Sequence, residues 1–171
     1  IKSDGYGHGL VQMATLLQKF ETPYFAMDSY FEAITVRKHF PDQKILLLGE
    51  NALENFAHMD FRNITFAIAN KESLKVIADL GRKISIHLKF NTGMNRQGFQ
   101  KKDLPFLLSL LKKSPHIKSE GIFSHFADAD NPDNTFTNQQ ERIFGEILDF
   151  FAQEGVSFLF THLGNSAGAL K

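Results

Sequence analysis

Short runs rich in β-branched, aromatic and leucine residues recur along this chain, with helical patterns between them. They cover residues 24–27, 44–48, 64–68, 84–90, 117–123 and 157–161, and the first four begin at even spacing. Ile45-Leu46-Leu47-Leu48 is continuously apolar rather than alternating, which suits a strand covered on both faces of a parallel sheet. Leu10, Val11, Met13, Ala14 and Leu17 form one helical stripe. Asp28 is placed to cap a helix over 29–40 that Pro41 stops. Asn70 is placed to cap 71–80, ending at Gly81, and Asp103 to cap 104–113 with Pro105 in the first turn. The longest helix falls between Asn134 and Glu154. Ile1-Lys2 reads as the tail of a further strand, making seven strands in βαβα order throughout. Two architectures satisfy that order, a TIM-type (β/α)8 barrel incomplete at both ends and a doubly wound open sheet. The pattern alone leaves both open.

Composition narrows the class of partner. Across 171 residues the formal net charge is zero, so nothing favours nucleic acid or an anionic membrane surface. No apolar run approaches the ~18 residues of a membrane span. Cysteine is absent, which removes disulfides and thiolate chemistry and agrees with a cytoplasmic location. With no secretory signal in view, Asn63-Ile64-Thr65 reads as a chance match to a glycosylation acceptor. The chain lacks an initiating methionine and ends just after a small-residue turn, which reads as a piece of a longer protein.

Both candidate architectures bind ligands where strands end, and that is where the unusual residues fall. Lys2 is followed by Gly5-Tyr6-Gly7-His8-Gly9, whose glycines permit tight turns and close backbone approach. The run from Ile84 ends at Lys89 and the loop Asn91-Thr92-Gly93-Met94-Asn95-Arg96-Gln97-Gly98. The run from Ile117 ends at Ser124-His125-Phe126, and the last at His162-Leu163-Gly164-Asn165-Ser166-Ala167-Gly168. Runs ending near Met27, Leu48 and Ile68 deliver much less. Each feature has a bland alternative. Lys2 and Arg96 suit a surface, Lys89 can face outward, and a buried histidine usually serves packing. Their common placement is what argues for a site.

The set is cationic, and the Asn165-Ser166 turn is compatible with a phosphate. No carboxylate pair is expected at the rim, which disfavours glycoside hydrolysis. The chain has no nucleophile elbow, no dinucleotide fingerprint and no P-loop. Asp128 and Asp130 after His125 match no metal signature, so no metal is expected. A lysine facing a phosphate site suggests a Schiff base, and pyridoxal 5′-phosphate combines an aldehyde with a phosphate.

Four ordered segments resemble the signatures of the alanine racemase family. They are Ile1-Lys2-Ser3-Asp4-Gly5-Tyr6-Gly7-His8-Gly9, the stretch from His87 to Phe99, Ser124-His125-Phe126-Ala127-Asp128-Ala129-Asp130, and His162-Leu163-Gly164-Asn165-Ser166-Ala167. The resemblance implies the barrel. It implies that residues 1–171 are most of a pyridoxal 5′-phosphate-binding domain, followed in the family by a C-terminal β-domain outside this chain. It implies a two-base racemase of alanine, homodimeric and cytoplasmic, supplying D-alanine for peptidoglycan. By matched position, Lys2 carries the cofactor and is the base on one face. Tyr6 and Ser166, beside Asn165, bind the phosphate. Arg96 donates to the phenolic oxygen, and Lys89 holds Arg96, as a carbamate. His125 lies against the pyridine ring, and His162 orients an arginine at the ring nitrogen.

Two departures carry expectations of their own. Asp4-Gly5 stands where the family usually has Asn-Ala, which should loosen the loop. Asn91 stands where it has Asp, which should remove negative charge near Lys89. The ring-nitrogen arginine and the second base, a tyrosine of the partner subunit, are expected beyond Lys171, so this chain alone should not racemise. The competing readings are a broader-specificity racemase, a non-catalytic cofactor carrier, a related decarboxylase and a decayed interaction module.

Overall fold

The computed structural model describes residues 1–170. Six strands form one sheet in sequential order: β1 (Phe25–Met27), β2 (Ile45–Leu47), β3 (Ile64–Ile68), β4 (Ile84–Lys89), β5 (Ile117–Ser124) and β6 (Phe160–Leu163). Every neighbouring pair is parallel. A doubly wound sheet reverses its strand order at a switch point, and this one never does. With right-handed crossovers, such an order puts all helices on one face. That decides for the barrel.

Five helices cover the outer face: α1 (Leu10–Leu17), α2 (Tyr30–His39), α3 (Lys71–Asp79), α4 (Leu104–Lys113) and α5 (Thr135–Gln153). Alternate strand residues pack beneath them. Phe25, Met27, Ile45, Leu47, Phe66, Ile68, Ile86 and Leu88 join Leu74, Ile77, Leu107 and Ile147 in one core. Leu107 is fully buried there, and truncating such a leucine to alanine costs about 2–5 kcal/mol. The remaining parity faces the barrel interior, including Ala26, Thr65, His87, Lys89 and Phe123. A bulge between β4 and β5 lets Ser119 pair with Ile86 and Gly121 with His87, leaving Glu120 as the extra residue. Its carboxylate turns inward and accepts from the Tyr24 hydroxyl at 2.6 Å, the Thr65 hydroxyl at 3.3 Å and Lys118 Nζ at 2.8 Å.

Several expectations need correction. The sheet has six strands among the described residues, not seven. The Ile1 nitrogen donates to Ala26 O at 2.8 Å, but the chain leaves strand geometry at Lys2. Ser29, not Asp28, caps α2, because its hydroxyl accepts from Glu32 N while Glu32 reaches back to Ser29 N. Asp103 sits at the start of α4 without capping it. Its carboxylate accepts from Gln100 N and pairs with Lys71 at 2.6 Å. Only a 3-10 helix, Leu53–His58, joins β2 to β3. Buried Phe56 anchors it against Phe66, with ring centroids 5.7 Å apart. The last strand begins at Phe160, later than expected, because Phe158 is spent on packing against Phe151 at 5.1 Å. The caps at Asn70 and the long helix ending before Gly155 stand as read. Among the described residues no helix is long and apolar enough to cross a membrane.

Candidate active site at the C-terminal ends of the strands

A cleft of about 640 Å³ opens at the C-terminal ends of the strands. Lys2, Tyr6, Lys89, Arg96, His125, Asn165 and Ser166 all line it. These residues come from the N-terminal segment beside β1 and from the ends of β4, β5 and β6, and the sheet order brings them to one rim. His162 does not line the cleft. It stacks on Phe123, which does, with ring centroids 4.7 Å apart and planes within 6°.

Lys2 opens a left-handed helical turn, Lys2–Tyr6, in which Ser3, Asp4, Gly5 and Tyr6 have φ of 55°, 53°, 61° and 56°. Each L-residue held so costs roughly 1–2 kcal/mol. The turn is braced, with Gly5 N donating to Ile1 O at 3.0 Å and Leu10 N to the Asp4 carboxylate at 2.7 Å. Gly5 takes one of these positions without the Cβ penalty the L-residues bear. It is buried, and a Cβ there would stand 2.7 Å from Met13 Cγ.

Lys89 ends β4 on the interior parity, opposite to Ile84, Ile86 and Leu88, and is 7% exposed. Burial lowers its pKa to about 8, helped by Arg96 and Lys2 and opposed by Glu50 and Asp28. The loop carrying Arg96 leaves the sheet after Phe90 and returns at once. Asn91 N donates to Phe99 O at 3.0 Å and Phe99 N to Lys89 O at 2.8 Å. Gly98, at φ 135°, makes that closure possible, since a Cβ there would meet Asn91 N at 2.5 Å. Asn91 is occupied by the loop itself, accepting from Gly93 N and Asn95 N. The negative charge near Lys89 comes instead from Glu50 and Asp28. Both line the cleft, which corrects the expectation that β1 and β2 deliver little and that the rim holds no carboxylate pair.

His125 is half-buried on the loop after β5. Desolvation, then Arg96, Lys89 and Lys2, hold its pKa below the usual imidazole range. Gln140 of α5, fully buried, fixes that loop: it donates to His125 O at 3.0 Å and to the Thr92 hydroxyl at 3.1 Å, and accepts from Ala127 N at 2.9 Å. Asn165 braces the last turn, donating to Phe126 O at 3.3 Å and accepting from Gly168 N at 2.8 Å. His87 Nδ1 lies 3.3 Å from His162 Nε2. Burial, then His162, lowers His87 to about 4, so the imidazole is neutral at physiological pH. His162 stands on the open edge strand, and desolvation where its ring is packed lowers it too.

Sequence reasoning missed Asp28, Glu50, Phe123, His87 and Gln140. For His87 a signal existed, because it shares the parity of Lys89. No group of His, Asp and Glu able to hold a metal occurs among the described residues, Asp128 and Asp130 included.

A family model described as the N-terminal domain of alanine racemase matches residues 1–171. An alanine racemase of Staphylococcus epidermidis is 33% identical over 99% of this chain and 45% of its own length. Alanine racemase 2 of Bacillus subtilis is 30% identical over 99% of the chain and 45% of its length. Among solved structures, alanine racemase of Clostridium difficile 630 superposes with a TM-score of 0.88 at 34% identity, over 98% of this chain and 48% of that one. A Bacillus anthracis alanine racemase structure with bound L-Ala-P gives 0.88 at 28% identity, over 99% of this chain and 45% of that one. The chain thus spans under half the length of these relatives.

Proposed function

The chain belongs to the alanine racemase family, matching its N-terminal domain from end to end, and on that premise we propose that its cleft binds pyridoxal 5′-phosphate on Lys2 and that the full-length protein interconverts L- and D-alanine. The reading includes a cytoplasmic homodimer that supplies D-alanine for peptidoglycan. The observation that carries it is the convergence of seven sequence-identified residues on one cleft.

The donor set fits the cofactor. Lys2 and Arg96 supply positive charge around a cavity of suitable size, and Tyr6 and Ser166 supply hydroxyls for a phosphate. When bound, the cofactor supplies an electron sink that acidifies the α-carbon of an attached amino acid. In this reading the Lys2 amine anchors it and then moves a proton on one face of the substrate. Arg96 would donate to the phenolic oxygen, and Lys89, as a carbamate, would hold Arg96 in place. His125, whose pKa is lowered by burial and then by its cationic neighbours, would lie against the ring. His162 and the neutral His87 orient the group at the ring nitrogen. The second base and that group belong to the remainder of the full-length protein.

The test is racemisation of L-alanine, followed by circular dichroism with added cofactor. The full-length protein is expected to racemise, Lys2→Ala to abolish it, and residues 1–171 alone to show none. Racemisation by residues 1–171 alone would refute the placement of the second base, and none by the full-length protein would refute the reading itself.

A further inference from the structure

The turn that carries Lys2 and Tyr6 is conformationally strained, so something outside it must hold it in place. Most of its hydrogen bonds are local and would move with it. Gly5 N to Ile1 O, Gly7 N and Gly9 N to Asp4 O, and Leu10 N to the Asp4 carboxylate all lie within residues 1–10. Two places tie the segment to the barrel. One is Ile1 N to Ala26 O. The other is Glu32, whose Oε1 accepts from Asp4 N, inside the left-handed stretch, at 3.2 Å.

Glu32 is in the first turn of α2, and its other oxygen is also engaged. Oε2 accepts from Asp28 N at 3.0 Å and from Ser29 N at 3.1 Å. Asp28 immediately follows β1 and lines the cleft. One half-buried carboxylate therefore joins the turn after Lys2 to the end of β1. Burial pushes its pKa up, but the amides of Ser29, Asp4, Asp28 and Ser3 outweigh that and hold it below the usual range. It accepts these bonds as an anion, which strengthens each of them.

We propose that Glu32 is a positioning residue for the active site, its carboxylate clamping the left-handed turn onto the end of β1 and so fixing where Lys2 and Tyr6 stand in the cleft. The inference rests on the reading of Lys2 as the cofactor lysine. A simpler account makes Glu32 only the distal half of the α2 capping box. The two oxygens allow the accounts to be separated. Glutamine also serves in a capping box, but Glu32→Gln has one acceptor atom. With its oxygen on Asp28 N and Ser29 N, its amide faces Asp4 N–H, donor against donor. Ser29→Ala does the reverse, removing the hydroxyl cap while leaving the carboxylate clamp.

Both variants are made in the full-length protein, and pyridoxal 5′-phosphate binding is followed by visible absorbance. Melting temperature and hydrogen exchange of residues 2–9 are measured in parallel, without cofactor. Glu32→Gln is expected to weaken cofactor binding roughly three- to tenfold, the loss of one exposed charge-assisted hydrogen bond. It should also speed exchange at Asp4. Ser29→Ala should lower the melting temperature at least as much while leaving binding and exchange near wild type. Unchanged binding and exchange in Glu32→Gln, or equal effects of the two variants, would overturn the proposal. If the wild type binds no cofactor through Lys2, the functional reading fails. The exchange result then decides the clamp by itself, with selective loss in Glu32→Gln supporting it and no loss overturning it.

Discussion

Lys89 is expected to carry an unusual share of free amine at neutral pH, and carbon dioxide is the reagent that reports it. Burial lowers its pKa from 10.5 to about 8. At pH 7 about a tenth of Lys89 is then unprotonated, against roughly one part in three thousand for an ordinary lysine. Carbamate formation adds carbon dioxide to the free amine and releases one proton, so Lys89 should react about 300-fold more readily than a surface lysine at the same pH. Arg96 beside it stabilises the anion formed. At fixed dissolved carbon dioxide the initial rate of carbamate formation should climb up to about pH 8, with the free-amine fraction, and level off above it. The assay is carbon NMR with labelled bicarbonate, with Lys89→Gln as control. Absence of a carbamate resonance, its survival in Lys89→Gln, or a midpoint near that of a free lysine would refute the burial argument. Stability offers a second check. Folding lowers this pKa, so between about 8 and 10.5 the folded state binds fewer protons than the unfolded chain, and stability should rise with pH across that window.

Three further substitutions probe the frame around the cleft. Gly121→Ala would place a Cβ 2.5 Å from His87 Nε2, against a ring caged by Tyr24, Phe160 and His162. A cost of about 1–3 kcal/mol is expected by denaturant unfolding, and an unchanged midpoint would contradict the packing. Gln140→Leu should cost about 1–3 kcal/mol for each buried partner left unpaired, and should weaken cofactor binding by freeing the His125 loop. Asn70→Ala removes the acceptor of Ser73 N at 2.8 Å. It should cost about 1 kcal/mol, a fall of roughly 2–4 °C in melting temperature, with cofactor binding unaffected.

Much of this frame is legible in the sequence because parallel strands covered on both faces leave apolar runs. Ile45-Leu46-Leu47 reads as a strand for that reason. Strand order is not legible in the same way, since periodicity records which face a residue takes and not which neighbour its strand pairs with. The segment from Val156 to Phe158 looks as β-prone as Phe160–Leu163, and only its packing on α5 separates them. Ser3 and Asp4 give little local hint of a left-handed turn, and the hydrogen bond from Asp4 N to Glu32, far along the chain, is not legible there. Asp28 and Glu50 escape notice because no glycine-rich loop follows them. They reach the cleft only because sequential strand order curls β1 and β2 around to face β4.

The central claim is that Lys2 covalently holds pyridoxal 5′-phosphate in this cleft. Borohydride reduction of the full-length protein loaded with the cofactor, followed by peptide mass mapping, tests it most directly. The account predicts one phosphopyridoxyl group, on Lys2, lost in Lys2→Ala. The same label on Lys89 or spread over surface lysines, or its persistence in Lys2→Ala, would contradict it.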